Sequence, residues 1–196
     1  MSKIKSPKTQ LAVIKLFEKH PELAQAKNIN SDTTALNRVI TRAKTEENQL
    51  ALIELLKKRP ELATTKCDYY DKLTPPHKMA INFDSPKSQE GIIELLEENP
   101  ELAKMQEFSG KTPLHYAAEY FDTPQGQQAF IDFINKYPEL AKMTNGDNDT
   151  PLLSAFACFN PDETKLSLID FAKKHTEIVK IADSTTKLTP RSEERR

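Results

Sequence analysis

The stretch Gly110–Ala118, which reads Gly-Lys-Thr-Pro-Leu-His-Tyr-Ala-Ala, contains the start of a helix. Thr112 is a good N-cap residue, because its hydroxyl can accept a hydrogen bond from an N–H of the first turn. Pro113 follows at the first helical position, where its missing N–H costs nothing and its fixed φ suits a helix. Leu114 and the two alanines then fall on one helical face. The stretch therefore predicts a short helix whose alanines let a neighbouring helix approach closely.

The threonine that starts this helix recurs at intervals of 38 to 40 residues, at Thr34, Thr74, Thr112, Thr150 and Thr189. A second marker, Pro-Glu-Leu-Ala, has the same spacing and begins at Pro21, Pro60, Pro100 and Pro138. Each copy follows large apolar residues at i, i+1, i+3 and i+4 with a charged residue at i+2, which is the pattern of an amphipathic helix rather than a strand. Two markers that share one period predict a repeat protein with two helices in each unit.

The sequence Thr-Pro-Leu-His-x-Ala-Ala at Thr112–Ala118 resembles the signature of the ankyrin repeat. The resemblance implies an all-α fold, an ankyrin-like helical-hairpin solenoid of about four repeats with an N-terminal capping helix. It also implies that His77 and His115, which stand at the same place in successive units, hydrogen-bond between neighbouring units. Two other copies depart from the signature, because Asn37 and Leu153 replace the histidine.

We expect one elongated domain over residues 1–190, because a stack of helix pairs explains a composition with 29% charged and 37% apolar residues. Its units span about residues 1–30 (the capping helix), 31–71, 72–110, 111–148 and 149–186, and residues 187–196 form a polar C-terminal tail. The family repeat has about 33 residues. We therefore expect the extra length in loops that bulge between paired helices, at residues 44–49, 84–90, 122–127 and 160–165.

Charge and composition argue against several classes of partner. The formal net charge of −1 gives no general attraction to nucleic acid or to acidic membranes. No apolar run approaches the roughly 20 residues of a membrane span, and we see no secretory signal. Cys67 and Cys158 lack metal-type spacing, which is typical of free thiols in a reducing compartment. We expect Cys158, which lies in an apolar helix, to be buried and inert.

No pattern in the sequence predicts catalysis, a cofactor or a metal site. Histidines at equivalent places in successive units suit architecture better than metal binding. With only four glycines, the chain has no glycine-rich loop able to hold a phosphate. Adjacent acids such as Glu46 and Glu47 are typical of a solvated helix face. We therefore predict a protein that is not an enzyme and takes no cofactor or metal ion.

Candidate binding residues lie on the surface, since the resemblance implies that partners contact the turn tips and the concave side of each first helix. Turns normally carry Gly, Asn, Asp or Ser, so aromatic residues at two tips are unusual: Tyr69, Tyr70 and Phe108. Aromatic rings are enriched at interface hot spots, but a ring can also fold back onto the preceding turn, and both interpretations are open. Along the first helices a strip runs from basic to aromatic residues: Arg38, Arg42, Lys78, Tyr116 and Tyr120. The strip suits an acidic or mixed partner surface, although solvated charges alone could explain its basic end.

The sequence supports two hypotheses about the function of the protein. The first is a non-enzymatic module, monomeric because both ends of the stack carry charge, that binds another protein. The second is the recognition region of a larger enzyme whose catalytic part lies beyond Arg196. Long irregular repeats with many Lys and Asn residues are also similar to the ankyrin-containing effectors that intracellular bacteria inject into host cells. The predicted location is the cytoplasm, which for such an effector is the cytoplasm of the host.

Overall fold

Helices are the regular elements of the protein over residues 6–27, 33–66, 72–160 and 162–183, which are the ranges that the computed structural model describes. No strand occurs within these ranges. None of their helices combines the length and the apolar character that a membrane crossing requires. The predicted all-α class is therefore confirmed for the described residues.

The helices follow one another in a repeating order of lengths. They are α1 (Pro7–Lys19), α2 (Pro21–Gln25), α3 (Ala35–Arg42), α4 (Glu46–Lys58), α5 (Pro60–Ala63), α6 (Pro75–Asn82), α7 (Pro86–Glu98), α8 (Pro100–Ala103), α9 (Pro113–Tyr120), α10 (Pro124–Lys136), a 3-10 turn (Leu140–Lys142), α11 (Pro151–Cys158), α12 (Asp162–Lys174) and α13 (Thr176–Asp183). We call α3, α6, α9 and α11 the first helices, and α1, α4, α7, α10 and α12 the second helices. Every first helix has eight residues and every second helix has thirteen.

The recurring threonines cap the first helices as the sequence predicted. The Thr34 hydroxyl accepts from the Asn37 N–H at 3.2 Å, and the Thr150 hydroxyl accepts from the Leu153 N–H at 3.3 Å. At α6 and α9 the cap is reciprocal, because the histidine three residues on accepts a hydrogen bond from the backbone N–H of the threonine. Each first helix consequently begins one residue after its threonine.

Two rows of helices hold the core between them. The first helices pack one against the next in the order α3, α6, α9 and α11, and the second helices do the same in the order α1, α4, α7, α10 and α12. One continuous set of buried apolar residues follows both rows from Ile14 to Ile178. Equivalent residues of successive units therefore lie side by side within each row, including those on the protein surface.

The expected bulging loops between paired helices are wrong. Only three residues join each first helix to its second helix in the first three pairs: 43–45, 83–85 and 121–123. The remaining residues assigned to those loops form the first turn of the second helix, where Gln49, Gln89 and Gln127 are buried. The Pro-Glu-Leu-Ala marker also does more than end a helix, since it forms the short helices α5 and α8.

Candidate functional site

His77 connects two successive units of the first-helix row. The Thr74 N–H donates to His77 Nδ1 at 3.2 Å, which leaves the ring proton on Nε2. Nε2 then donates to the backbone carbonyl of Lys111, in the next unit, at 3.1 Å. The same arrangement recurs one unit later, with both distances 3.0 Å, at Thr112, His115 and Asp149. The structure thus confirms the hydrogen bonds between units that the ankyrin resemblance implied for this histidine.

Burial keeps both imidazoles neutral at pH 7. For His77, the loss of solvation of the charged ring lowers the pKa to about 4, despite the opposing hydrogen bond to the Lys111 carbonyl. Burial is likewise the main cause of the lowered pKa of His115. A neutral ring that donates through one nitrogen and accepts through the other suits a structural connection.

The turn between α8 and α9 carries Phe108 at its tip and is fixed from within by Glu107. The buried Glu107 carboxylate accepts from the Ser109 N–H at 2.9 Å, from the Lys111 N–H at 3.0 Å and from the Ser109 hydroxyl. Burial raises the pKa of this carboxyl, but the hydrogen bonds outweigh burial and the resulting pKa lies below the ordinary value. The carboxylate therefore stays charged at neutral pH and holds the turn in one shape.

The Phe108 turn is also bound to the turn of the next unit. The Gly146 N–H donates to the Ser109 carbonyl at 2.7 Å. Gln106 Nε2 donates to the Gly110 carbonyl at 2.8 Å and to a carbonyl of the next unit at 3.0 Å. Gly110 has a φ of 81°, and a Cβ there would lie 2.9 Å from the Gly146 nitrogen. Glycine is therefore required for this close approach of the two turns.

Phe108 projects from this fixed turn into solvent. Its side chain is 76% exposed, and it makes no ring contact with another aromatic side chain of the described residues. A ring this exposed does not fold back onto the preceding turn. Phe108 therefore combines a large apolar surface with a backbone that is already ordered.

Tyr116 and Tyr120 lie one turn apart on α9, with 6.2 Å between their ring centroids. Tyr116 is half-buried and meets the His77 ring edge-on, at 5.6 Å and an interplanar angle of 81°. Lys111 Nζ lies 5.5 Å from the centroid of the Tyr116 ring. Tyr120 is exposed. The structure thus brings these two predicted binding residues together, and it gives Tyr116 a packing contact with the preceding unit.

The basic end of the predicted strip lies on α3 and α6. Arg38 is half-buried and Arg42 is exposed, and neither forms an ion pair with an acidic residue of the described ranges. Lys78 is half-buried on α6. On the second-helix row, several charges pair across units: Lys57 with Glu94, Lys58 with Glu18, and Lys136 with Glu97. The predicted tip residues Tyr69 and Tyr70 lie outside the described residues.

A line of buried amides, which the sequence interpretation missed, connects the second helices. Gln89 Nε2 donates to the Phe83 carbonyl at 3.2 Å and to Asp122 Oδ1 of the next unit at 2.9 Å. Its Oε1 accepts from the Thr123 hydroxyl at 2.6 Å and from the Thr123 N–H at 3.2 Å. Equivalent glutamines form related bonds in other units: Gln10, Gln49 and Gln127. Their spacing of 38 to 40 residues was the available signal.

The prediction that Cys158 is buried is wrong, because Cys158 is exposed at the end of α11. Cys158 occupies the position of Arg42, Asn82 and Tyr120 in the other first helices, which faces outward. The apolar composition of α11 hid this placement. Within the described part of the chain, no three His, Cys, Asp or Glu side chains group as a metal site would require.

Comparisons with known proteins find similarity to solved structures. No protein-family model matches the chain, and no curated protein matches it. The chain is similar to a structure described as the predatory endopeptidase Bd0816 from Bdellovibrio bacteriovorus in complex with the immunity protein Bd3460. The match covers 87% of this chain and 99% of that chain, with 19% sequence identity and a TM-score of 0.43. A likeness of this size carries no argument about function.

Proposed function

We propose that this chain is a non-enzymatic, ankyrin-type interaction module that binds another protein through the Phe108 turn and the exposed side of the first helices. Phe108 is the observation that carries the proposal. Exposing a phenylalanine forfeits the free energy that its burial would supply, about 1.5–3 kcal/mol. An exposed ring on an ordered turn is well suited to fill a pocket on a partner.

The ordered backbone of the turn strengthens this proposal. A flexible loop loses conformational freedom when it binds, and that loss subtracts from the affinity. Around Phe108 the ordering is already supplied by Glu107, by Gln106 and by the direct bond from Gly146. Binding through this turn therefore requires little reorganisation of the chain.

Unpaired positive charge on the first-helix row supports a partner with acidic groups beside its apolar pocket. Arg38 and Arg42 have no acidic partner in the described ranges, whereas four cations of the second helices pair across units. Complementary charge raises the rate of association and suppresses wrong partners more than it adds affinity. We therefore assign the anchoring role to Phe108 and Tyr120, and a steering role to the arginines.

An affinity capture with three matched columns tests the proposal. The columns carry the wild-type chain, Phe108→Ser and Leu23→Ser, where Leu23 is an exposed apolar residue of α2 far from the turn in sequence. We expect one protein, identified by mass spectrometry, to be retained by the wild type and by Leu23→Ser and to be lost from Phe108→Ser. Equal retention on all three columns would show that the Phe108 turn is not the binding surface.

A further inference from the structure

The last second helix, α12, exposes a set of side chains that the same fold covers elsewhere. Leu166, Ile169 and Lys173 occupy positions 3, 6 and 10 residues after Glu163, on one face of the helix. Counting by the repeat interval, their equivalents on α4 are Leu50, Ile53 and Lys57, which are identical residues. The other second helices differ in this set: Leu11, Ile14 and Glu18 on α1, Glu90, Ile93 and Glu97 on α7, and Gln128, Ile131 and Asn135 on α10.

On α4, this set of side chains packs directly against α7. A Cβ built on Gly91 of α7 would lie 3.0 Å from Ile53 Cδ1 and 3.9 Å from Leu50 Cδ2, so the α7 backbone rests directly on these two side chains. One helical turn further, Lys57 Nζ lies 2.9 Å from Glu94 Oε2 and 2.9 Å from Glu98 Oε1. The helix that covers the set therefore presents a small residue followed by acids three and seven positions later.

The described residues leave the equivalent face of α12 exposed. The residue Ile53 is 2% exposed, whereas Ile169 is 40% exposed. The Lys57 side chain is 16% exposed, whereas the Lys173 side chain is 71% exposed and pairs, among the described residues, with Asp170 of its own helix at 3.1 Å. Leu166 is among the most exposed large apolar residues of the described ranges. Among the described helices, α10, α11 and α13 contact α12, and Leu166 and Ile169 stay exposed beside them.

We propose that this face of α12 binds an amphipathic helix of another protein that carries Gly or Ala with acidic residues three and seven positions later. The chemistry follows from α7, because an identical set of side chains already selects such a helix inside the protein. An alanine also fits the place of Gly91, since Ala51 and Ala129 stand at the equivalent positions of α4 and α10. Within residues 184–196 of the chain itself, no Gly, Ala or Ser is followed by this pair of acids.

A helical peptide with the α7 sequence, Pro86–Glu98, is the probe for this site. Isolated helices of this length are unstable in water, so the peptide is cross-linked between positions 89 and 93, on the face opposite Gly91. Its fluorescence anisotropy is followed while the full-length chain is added. We expect saturable binding to the wild type, and at least about a tenfold loss, or about 1.4 kcal/mol, with the double variant Leu166→Ser/Ile169→Ser.

A charge exchange makes the test independent of any effect of that double variant on folding. A peptide with Glu94→Lys and Glu98→Lys should bind the wild type at least about tenfold more weakly, because it faces Lys173 with like charge. Lys173→Glu should restore its binding and weaken that of the original peptide. Leu16→Ser, at the opposite end of the stack, and Phe108→Ser should leave the affinity of the peptide unchanged, which separates this site from the proposed Phe108 surface.

Several outcomes would overturn the inference. The first is that the peptide does not bind the wild type. The second is that binding survives the double variant. The third is that Lys173→Glu does not restore binding of the peptide with Glu94→Lys and Glu98→Lys. A gain in peptide affinity on removal of residues 184–196 would show that the chain covers its own α12. Self-association in analytical ultracentrifugation that Ile169→Ser abolishes would assign the face to a second copy of the chain instead.

Discussion

His77 Nε2 donates a hydrogen bond to the backbone carbonyl of Lys111 across the boundary between two units, and the donor ring is completely buried. The bond requires the neutral ring to be present, with Nδ1 accepting from Thr74. His77 therefore has a structural role in the fold. The bond also makes the stability of the stack sensitive to pH.

Stability should fall as the pH is lowered from about 6.5 towards 4. The His77 pKa is about 4 in the folded chain and about 6.5 in an unfolded one. The unfolded state thus binds more protons across this window, and the free energy of unfolding decreases as pH falls. The full effect of His77 is roughly 3 kcal/mol, and the lowered pKa of His115 acts in the same direction.

Urea unfolding at pH 7 and at pH 5 measures this dependence. His77→Gln, which keeps a polar side chain but cannot titrate, should be less stable at pH 7 and should lose less stability between the two pH values than the wild type does. An identical loss in both proteins would show that another group controls the acid sensitivity.

The buried amides should contribute strongly to the stability of the second-helix row. Replacing Gln89 by Leu leaves the Phe83 carbonyl and the Thr123 N–H without their partner, and each unsatisfied buried group costs about 1–3 kcal/mol. Gln128→Leu, on the exposed face of α10, is the matched control and should change the free energy of unfolding by less than about 0.5 kcal/mol. Equal effects would mean that water replaces the lost bonds.

Replacing the buried polar residue Asn37 by an apolar residue should stabilise the fold. It stands at the place of His77, is completely buried, and neither Nδ2 nor Oδ1 finds a hydrogen-bond partner among the described residues. Because an unpaired buried amide is unfavourable, Asn37→Leu should raise the free energy of unfolding by about 1 kcal/mol. Leu153 fills the equivalent position in the last unit. A drop in the urea midpoint would instead show that the amide is bonded in solution.

A core substitution and a surface substitution should separate the inside of the stack from its outside. Leu114 is completely buried on α9, so Leu114→Ala should cost about 2–5 kcal/mol. Lys136 is exposed and pairs with Glu97 at 3.1 Å across two units, and exposed pairs contribute little. Lys136→Ala should therefore stay within about 0.5 kcal/mol of the wild type. Thermal unfolding of both variants checks the difference.

The sequence allowed the helix starts to be predicted closely because they depend on local chemistry. A threonine that caps and a proline that fits the first turn act within four residues, so Thr112 and Pro113 decide where α9 begins without help from the rest of the fold. The histidine bond between units was accessible through the resemblance, since the partner is a backbone carbonyl that any residue supplies.

Other features depended on neighbours that a single stretch of sequence does not reveal. Gln89 looks like an ordinary polar residue near a helix start, and its bonds to Asp122 and Thr123 depend on the next unit of the fold. The apolar sequence of α11 favours burial of Cys158, whereas its position in the repeat, shared with the exposed Arg42 and Tyr120, indicates exposure. The identity between the exposed face of α12 and the covered face of α4 became informative only once the contact with Gly91 was known.

Titration calorimetry with the captured partner tests the central claim most directly, by comparing the wild type with Phe108→Ser. We predict that the substitution weakens binding by at least about 2 kcal/mol, roughly 30-fold in Kd. The melting temperature should stay unchanged, because the Phe108 side chain is largely exposed to solvent. Unchanged affinity together with a large drop in melting temperature would contradict the account, since Phe108 would then stabilise the fold and not the complex.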